Sequence, residues 1–307
     1  MYNQAIINGN FDIWQRNTSF TNPSNEDYTV DRWKVVRADA SGTAPNVNVE
    51  RSTTNLPANG KSKYNVKLSP TSTGSTGVGM KWFFRQMVED YEIFQGKTVS
   101  ASVTMTIPNG AKMYLQIWDY NSESFSLQQT GTGSEQTVIL THTVHALAGA
   151  LAVGVILAYD TQFVATVGDY YFSQVQLNVG EVVLPFQPKT FEEELLKCQR
   201  YYSKSFPYDN FPGGGADYSG QCELTGSSPN DTVPSMEYPV QMRTTPTVTV
   251  YSPATGTSGA IRNYESSSDI TSVLVDGTGG DRFRVYKGSA IVDSVLYGVQ
   301  WTADAEM

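Results

Sequence analysis

The chain opens with Asn8-Gly9-Asn10-Phe11-Asp12-Ile13-Trp14-Gln15-Arg16, and Tyr28-Thr29-Val30-Asp31-Arg32-Trp33 follows shortly after. Two tryptophans and two arginines stand among turn-forming Asn, Gly and Pro residues, close behind Met1. Large aromatics dominate core burial, so Trp14 and Trp33 read as core. Arg16 and Arg32 then need internal partners, either Asp12 or Asp31 or backbone carbonyls. This block reads as the framework of a β-sandwich whose core begins almost at the first residue.

Outward from it, short runs alternate apolar and polar residues with period two, the mark of half-buried strands. They are Lys34–Arg37, Val47–Glu50, Tyr64–Leu68, Val99–Met105, Met113–Trp118, Thr137–Leu140 and Tyr170–Leu177. Turn clusters such as Pro108-Asn109-Gly110 and Thr71-Ser72-Thr73-Gly74-Ser75 separate them. The apolar run from Gly149 to Tyr159 fits either a buried strand or a buried helix, and Val153, Val155 and Ile156 favour the strand. Many short strands with turn punctuation indicate a sandwich or jelly roll over residues 1–187.

One helix interrupts this pattern. Thr190 and Glu193 form a capping box, with Glu192, Glu193 and Glu194 in the first turn and Lys197, Arg200 and Lys204 towards the end. Phe191, Leu195, Cys198 and Tyr202 make one apolar stripe, and Pro185, Pro188 and Pro207 bound the segment. Residues 188–205 therefore read as a connector helix. Beyond it, Gly213-Gly214-Gly215 lies in a Gly-rich, aromatic loop. A second β-sandwich over 206–307 is expected to use strands at 221–224, 235–241, 247–252, 271–275, 282–286 and 295–301. Met242 and Arg243 ahead of Pro246 suggest an edge or strand entry, since Pro cannot serve a central ladder. The fold class is thus all-β, two β-sandwich or jelly-roll domains joined by one short α-helix. Heptads, collagen triplets and β-helix repeats are missing from the sequence, so no long shaft is expected.

Composition narrows the function classes. The 307 residues suit about two domains. Net charge is −9, with −2 on residues 1–189 and −7 on 190–307, and no basic stripe offers itself to a phosphate backbone. Nucleic acid is therefore not an expected partner. Ala5-Ile6-Ile7 is too short for a signal-peptide core, and no apolar run reaches spanning length, so neither a leader nor membrane insertion is expected. Two cysteines, Cys198 and Cys222, cannot make a disulfide framework, which fits assembly in a reducing cytoplasm.

Beyond composition, the opening block resembles that of a family of tailed-bacteriophage virion appendage proteins, tail-fibre or head-fibre subunits with an N-terminal carbohydrate-binding-module-like jelly roll. Three further blocks carry the resemblance. Phe84-Arg85-Gln86 through Gln95-Gly96-Lys97-Thr98-Val99-Ser100 is similar to a jelly-roll segment of carbohydrate-binding modules. Val183-Leu184-Pro185-Phe186 through Cys198-Gln199-Arg200-Tyr201-Tyr202 is similar to the joint in phage appendage proteins. Tyr238–Val248 and Thr302-Ala303-Asp304-Ala305-Glu306 resemble the C-terminal domain. The resemblance implies a virion protein assembled in the host bacterial cytoplasm, a homotrimer contacting other virion proteins and host surface glycan. Its expected role is a tail fibre or receptor-binding protein for host attachment. Capsid fibre or decoration is the alternative, favoured by the absence of a separate anchoring domain before residue 8. A glycan depolymerase is the lesser alternative. Related modules often carry a structural ion, so structural calcium stays open, although no EF-hand-type loop occurs.

Motifs for catalysis are weak. His142 and His145, three apart on a strand, would face opposite ways and could not share a metal. They read as surface-strand or loop residues. No nucleophile elbow or P-loop is present, and Glu89, Asp90 and Glu92 are too close in sequence to argue a carboxylate pair. The expectation is a non-enzyme with neither a catalytic site nor a metal site. Sugar binding is the more serious option, because rings stack on sugar faces while amides and carboxylates reach hydroxyls. Trp118 with Tyr120 and Asp119, and Trp82 beside Phe83, are the candidates, Trp118 and Tyr120 sharing a face if the strand continues. Tyr201, Tyr202, Phe206, Tyr208, Phe211 and Tyr218 crowd the joint and read as an oligomer interface.

Overall fold

Residues 5–18 enter the first unit as neither strand nor helix, yet Ile6, Phe11, Ile13 and Trp14 are buried. A buried irregular segment must still match its backbone polar groups. Gln86 serves one side, accepting from Ile7 N at 2.8 Å and donating to Ile7 O at 2.6 Å. On the other side Ala5 N donates to Leu177 O, and Val175 N donates to Gly9 O. Asn8 closes the turn by accepting from Ile13 N and donating to Ile13 O and Asp31 O. Asp31 accepts from the main chain and the side chain of Gln15. Arg16 lies 3.9 Å from Asp31, and Arg32 donates to Met87 O at 3.0 Å. Both arginines thus have the kinds of partner expected from the sequence.

This computed structural model describes residues 5–212, 216–226, 234–287 and 291–307. The Gly213-Gly214-Gly215 part of the expected Gly-rich loop lies outside the described residues. The first unit, Met1–Glu194, contains strands β1 (Ser19–Phe20), β2 (Lys34–Ala38), β3 (Val47–Ser52), β4 (Asn65–Pro70), β5 (Lys81–Met87) and β6 (Thr98–Thr106). It continues with β7 (Lys112–Trp118), β8 (Glu123–Phe125), β9 (Gln129–Thr130), β10 (Glu135–Thr143), β11 (Ala152–Tyr159) and β12 (Tyr170–Val179). The first sheet has the order β1-β3-β4-β12-β6-β10. The second runs β2-β5-β11-β7-β8, with β9 also on β7. Val49, Leu68, Val103 and Phe172 of the first sheet share one core with Val35, Phe84, Leu115 and Val155 of the second. Trp33 stacks on Phe84 at 5.4 Å and meets Phe11 at 5.0 Å, so the opening block fills this core.

The capping box forms as read. Glu193 N donates to Thr190 Oγ1 at 3.3 Å, and Thr190 N donates to Glu193 Oε2 at 3.0 Å. The helix α1 (Phe191–Gln199) is shorter than the expected connector. The boundary between the units falls inside it, between Glu194 and Leu195. Glu194 is buried in the first unit, where it accepts from Asn8 N and pairs with Lys189 at 3.3 Å. Phe191, expected on the apolar stripe, is 40% exposed.

The second unit, Leu195–Met307, comprises β13 (Tyr202–Lys204), β14 (Cys222–Thr225), β15 (Met236–Glu237), β16 (Thr247–Tyr251) and β17 (Ala260–Asn263). Then come β18 (Ser268–Thr271), β19 (Leu274–Asp276), β20 (Arg282–Tyr286) and β21 (Leu296–Asp304). β21 is the spine. Its C-terminal half pairs with β13 and β16, its N-terminal half with β14 and β17. Residues 202–204, read as connector, are therefore a strand, because their partner lies at Thr302–Asp304. Pro246 stands just ahead of β16, as a strand-entry proline should. Tyr238, Phe283 and Trp301 form the aromatic centre, with ring separations of 5.5 to 5.7 Å.

Two substitutions test this account by urea unfolding. Trp33→Ala is expected to cost about 3–5 kcal/mol, as for a large buried aromatic. Thr190→Ala should cost about 1 kcal/mol through the lost cap.

Candidate functional site

The second sheet of the first unit has an outer face as well as a core face. On β7, Met113, Leu115 and Ile117 point into the core, so Tyr114, Gln116 and Trp118 point outward. On β5, Lys81, Phe83 and Arg85 share that outer face, and on β2 it carries Lys34 and Val36. One end is covered by a separate cluster of Val36, Phe83, Ile156 and Phe163, against which Tyr114, Phe125 and Tyr159 pack.

At the other end the central strand has almost no side chain to offer. Gly154 on β11 stands in register with Arg85 on one side and Gln116 on the other. A Cβ there would come within 2.5 Å of Arg85 Cβ and 2.7 Å of Phe84 O, so only glycine fits. Over this gap Arg85 reaches the Trp118 ring, with its guanidinium carbon 4.9 Å from the ring centroid. Such stacking is favourable, but it supplies no hydrogen bond. Arg85 Nε is buried without a partner, and burial pushes the guanidinium pKa down. Gln116 is 1% exposed, and neither polar atom of its amide finds a partner among the described residues. Each unmatched buried polar group costs about 1–3 kcal/mol. Two such groups stand on this face beside an exposed aromatic.

Tyr120 extends the row. Its ring is 68% exposed and meets Trp118 edge-on at 5.7 Å. The strand ends at Trp118, so alternation is not what aligns the two rings. Tyr120 instead sits in a turn at φ 70°, the left-handed region that a bulky residue avoids. Gly149 lies beneath the ring, where a Cβ would be 3.5 Å from Cδ1.

Asp119 holds that turn. Fully buried, it accepts from Asn121 N, from Ser122 N and Oγ, from His145 N at 2.7 Å and from His142 Nε2 at 3.0 Å. Burial alone would raise its pKa, but the hydrogen bonds from His145, His142 and Ser122 prevail and hold it down to about 2. His142 Nδ1 in turn meets Ser124 Oγ at 2.6 Å. The Asp119–His142–Ser124 row ties β8 to β10 across the open side of the sandwich. His142 is therefore buried and not a surface residue. β10 ends at Thr143, and Asp119 Oδ2 accepts from the His142 ring and from the His145 backbone N–H, while the His145 ring meets Asn121 instead.

Several sequence candidates change role. Trp82 is fully buried in the core and has no face for a ligand. Asp119 is a structural pin whose oxygens are already engaged. Trp118 and Tyr120 do come together. Arg85, Gln116 and Gly154 were missed as a site: period two puts Gln116 on the face of Trp118, but says nothing of which face is outward. In the second unit Tyr201, Tyr202 and Phe206 are buried, and Tyr208 and Phe211 are half-buried with rings 6.0 and 5.0 Å from Lys204 Nζ. Only Tyr218 of that group is largely exposed, so these aromatics do not form an open patch.

Among the described residues no group of three or more His, Cys, Asp or Glu side chains gathers as for a metal. Asp12 and Glu194 line one small pocket, and there Lys189 Nζ already brings the positive charge, 3.3 Å from Glu194. These residues do not fit calcium. A groove of about 310 Å³ lies on the outer face of the first sheet, but its Gln174 and Gln176 are bonded to Asn59, Ser62 and Ser102. A groove of about 240 Å³ lined by Lys81, Phe83, Glu123 and Tyr159 opens on the same face as Arg85.

No family model matches the chain, and no curated protein matches it. Solved structures do. A CBM4 structure is 18% identical, with a TM-score of 0.37 over 56% of this chain and 98% of its own. The enzymatically active domain of tailspike protein 4 from bacteriophage CBA120 is 15% identical, with a TM-score of 0.36 over 53% of this chain. The chain spans only 21% of that tailspike. A cyclase from Fischerella sp. TAU is 11% identical, with a TM-score of 0.39 over 60% of this chain and all of its own.

The Asp119 pin carries a pH signature. A depressed folded-state pKa contributes stability above the unfolded value of 3.8, which is lost as pH falls through about 2. Asp119→Asn is expected to lower stability by about 1–3 kcal/mol at pH 7. It should also flatten the wild-type decline between pH 4 and 2, measured by urea midpoints across that range.

Proposed function

We propose that this chain is a non-enzymatic structural subunit of a tailed-phage appendage, a tail fibre or receptor-binding protein, whose first unit holds host surface glycan on the Arg85–Trp118–Tyr120 row. The observation carrying this reading is the exposed Tyr120 ring, fixed by a left-handed backbone and set edge-on to Trp118. A left-handed backbone held at an exposed aromatic is the kind of strain that functional sites retain. Two rigid rings offer apolar faces to the C–H side of a sugar, and their orientation is set before the ligand arrives. Unmatched polar groups beside them suit a ligand rich in hydroxyls. The resemblance of the opening block and the joint to phage appendage proteins supplies the virion context, with other virion proteins as partners.

Tryptophan fluorescence titration of the full chain with capsular and cell-wall polysaccharides from bacterial hosts tests the sugar reading. Trp118→Ala and Tyr120→Ala should each weaken binding by about tenfold or more while leaving the unfolding midpoint close to wild type. Binding that ignores both substitutions would place the ligand elsewhere. Purified protein that neither binds cells nor blocks phage adsorption would sink the receptor-binding role. Release of oligosaccharides during incubation would overturn the non-enzymatic part.

A further inference from the structure

We propose that the sugar taken by this site carries a carboxylate, a uronic-acid or sialic-acid residue whose acid group is received by Arg85. The inference rests on the glycan-binding reading and specifies its substrate class. Arg85 is the reason. Its guanidinium makes no hydrogen bond and no ion pair with any described residue, and the contact with Trp118, 4.9 Å from the guanidinium carbon to the ring centroid, uses none of its N–H groups. Guanidinium edges match a carboxylate in two parallel hydrogen bonds, a geometry that a neutral hydroxyl cannot reproduce. Burial already weakens the hold of water on this cation, so an arriving anion displaces little solvation.

The charges around Arg85 are consistent with a single acid group. Lys34 is its cross-strand neighbour, and its ammonium is taken by Glu26 at 2.5 Å. Glu123 lies on the far side, against the groove lined by Lys81, Phe83 and Tyr159. Glu26 and Glu123 therefore flank a guanidinium that pairs with neither of them. They would repel a ligand with closely spaced acids, whereas one carboxylate flanked by neutral sugars can sit over Arg85. The groove beside Lys81 gives such a chain a path away from Tyr120. Gln116, across Gly154 from Arg85 and with its amide unmatched, is the nearest polar group in register on that face.

The test uses the full chain and three probes. These are oligosaccharides containing alternating glucuronate, oligosaccharides ending in N-acetylneuraminate, and the methyl ester of each. Isothermal titration should show at least one acid form binding about tenfold or more tightly than its ester. Arg85→Gln should abolish that difference, and Arg85→Lys should restore only part of it because the ammonium is a point charge. Raising salt should weaken the acid form and leave the ester unmoved. Equal affinity for acid and ester, or a preference that survives Arg85→Gln, would overturn the carboxylate assignment. So would failure of every acid form to bind. Neutral xylo- and cello-oligosaccharides form the separate arm: binding there that is lost in Trp118→Ala would keep the glycan reading while the acid inference falls. Circular dichroism of each variant confirms that the fold persists.

Discussion

The buried path of residues 5–15 is the constraint on which the first unit depends. This segment has no ladder of its own, so its amides and carbonyls must be matched by side chains and by edges of other elements. Gln86 of the second sheet and Leu177 and Val175 of the first sheet do this together, which makes the segment a bolt between the two sheets. Asn8, Phe11 and Arg32 all adopt left-handed backbone to allow it. Trp14 and Trp33 then fill the space, and each indole N–H finds a carbonyl, Phe11 O and Asn8 O. Lose the polar matching and the tryptophans lose their seats.

With the sheets bolted in this way, the outer face of the second sheet is free to be specialised. Gly154 removes the side chain at the middle of the face, Arg85 bridges the gap, and Trp118 and Tyr120 continue the surface outward. The Asp119 hub performs for this turn what Asn8 and Asp31 perform for the opening segment. In both places a buried acid or amide with several donors around it fixes an irregular backbone that the packing of apolar groups would leave loose. The site therefore stands on elements that are rigid for reasons independent of ligand.

Much of the architecture was legible beforehand. Alternation located β2, β3, β4, β6, β7, β10 and β12 to within a few residues, and the capping box located the start of α1. The short strands β13, β17 and β18 were missed: β13 because its partner lies far away in sequence, as Tyr202 pairs with Asp304, and β17 and β18 because their local hairpin, Asn263 opposite Ser268, carries no alternation of apolar residues. The site was half legible. Trp118 and Tyr120 attracted notice as aromatics beside polar residues, although the strand argument for pairing them failed when the strand stopped at Trp118. Trp82 looked equivalent to Trp118 in sequence, and only the direction of the Cβ relative to the core separates them.

The sequence by itself determined the periodicities, the caps and the residue types: an all-β chain, one short helix, an early aromatic core and two arginines in need of partners. Those are local properties, set by the two-residue repeat of a strand and by the orphan groups at a helix end. The tertiary structure alone decided which face of each strand turns outward, which polar groups are matched and which are left over. Trp14 and Trp33, conspicuous in the opening block, are framework. Arg85 and Gln116, inconspicuous in sequence, are among the buried groups left unmatched, and only folding showed this, because hydrogen-bond satisfaction depends on neighbours that folding brings together.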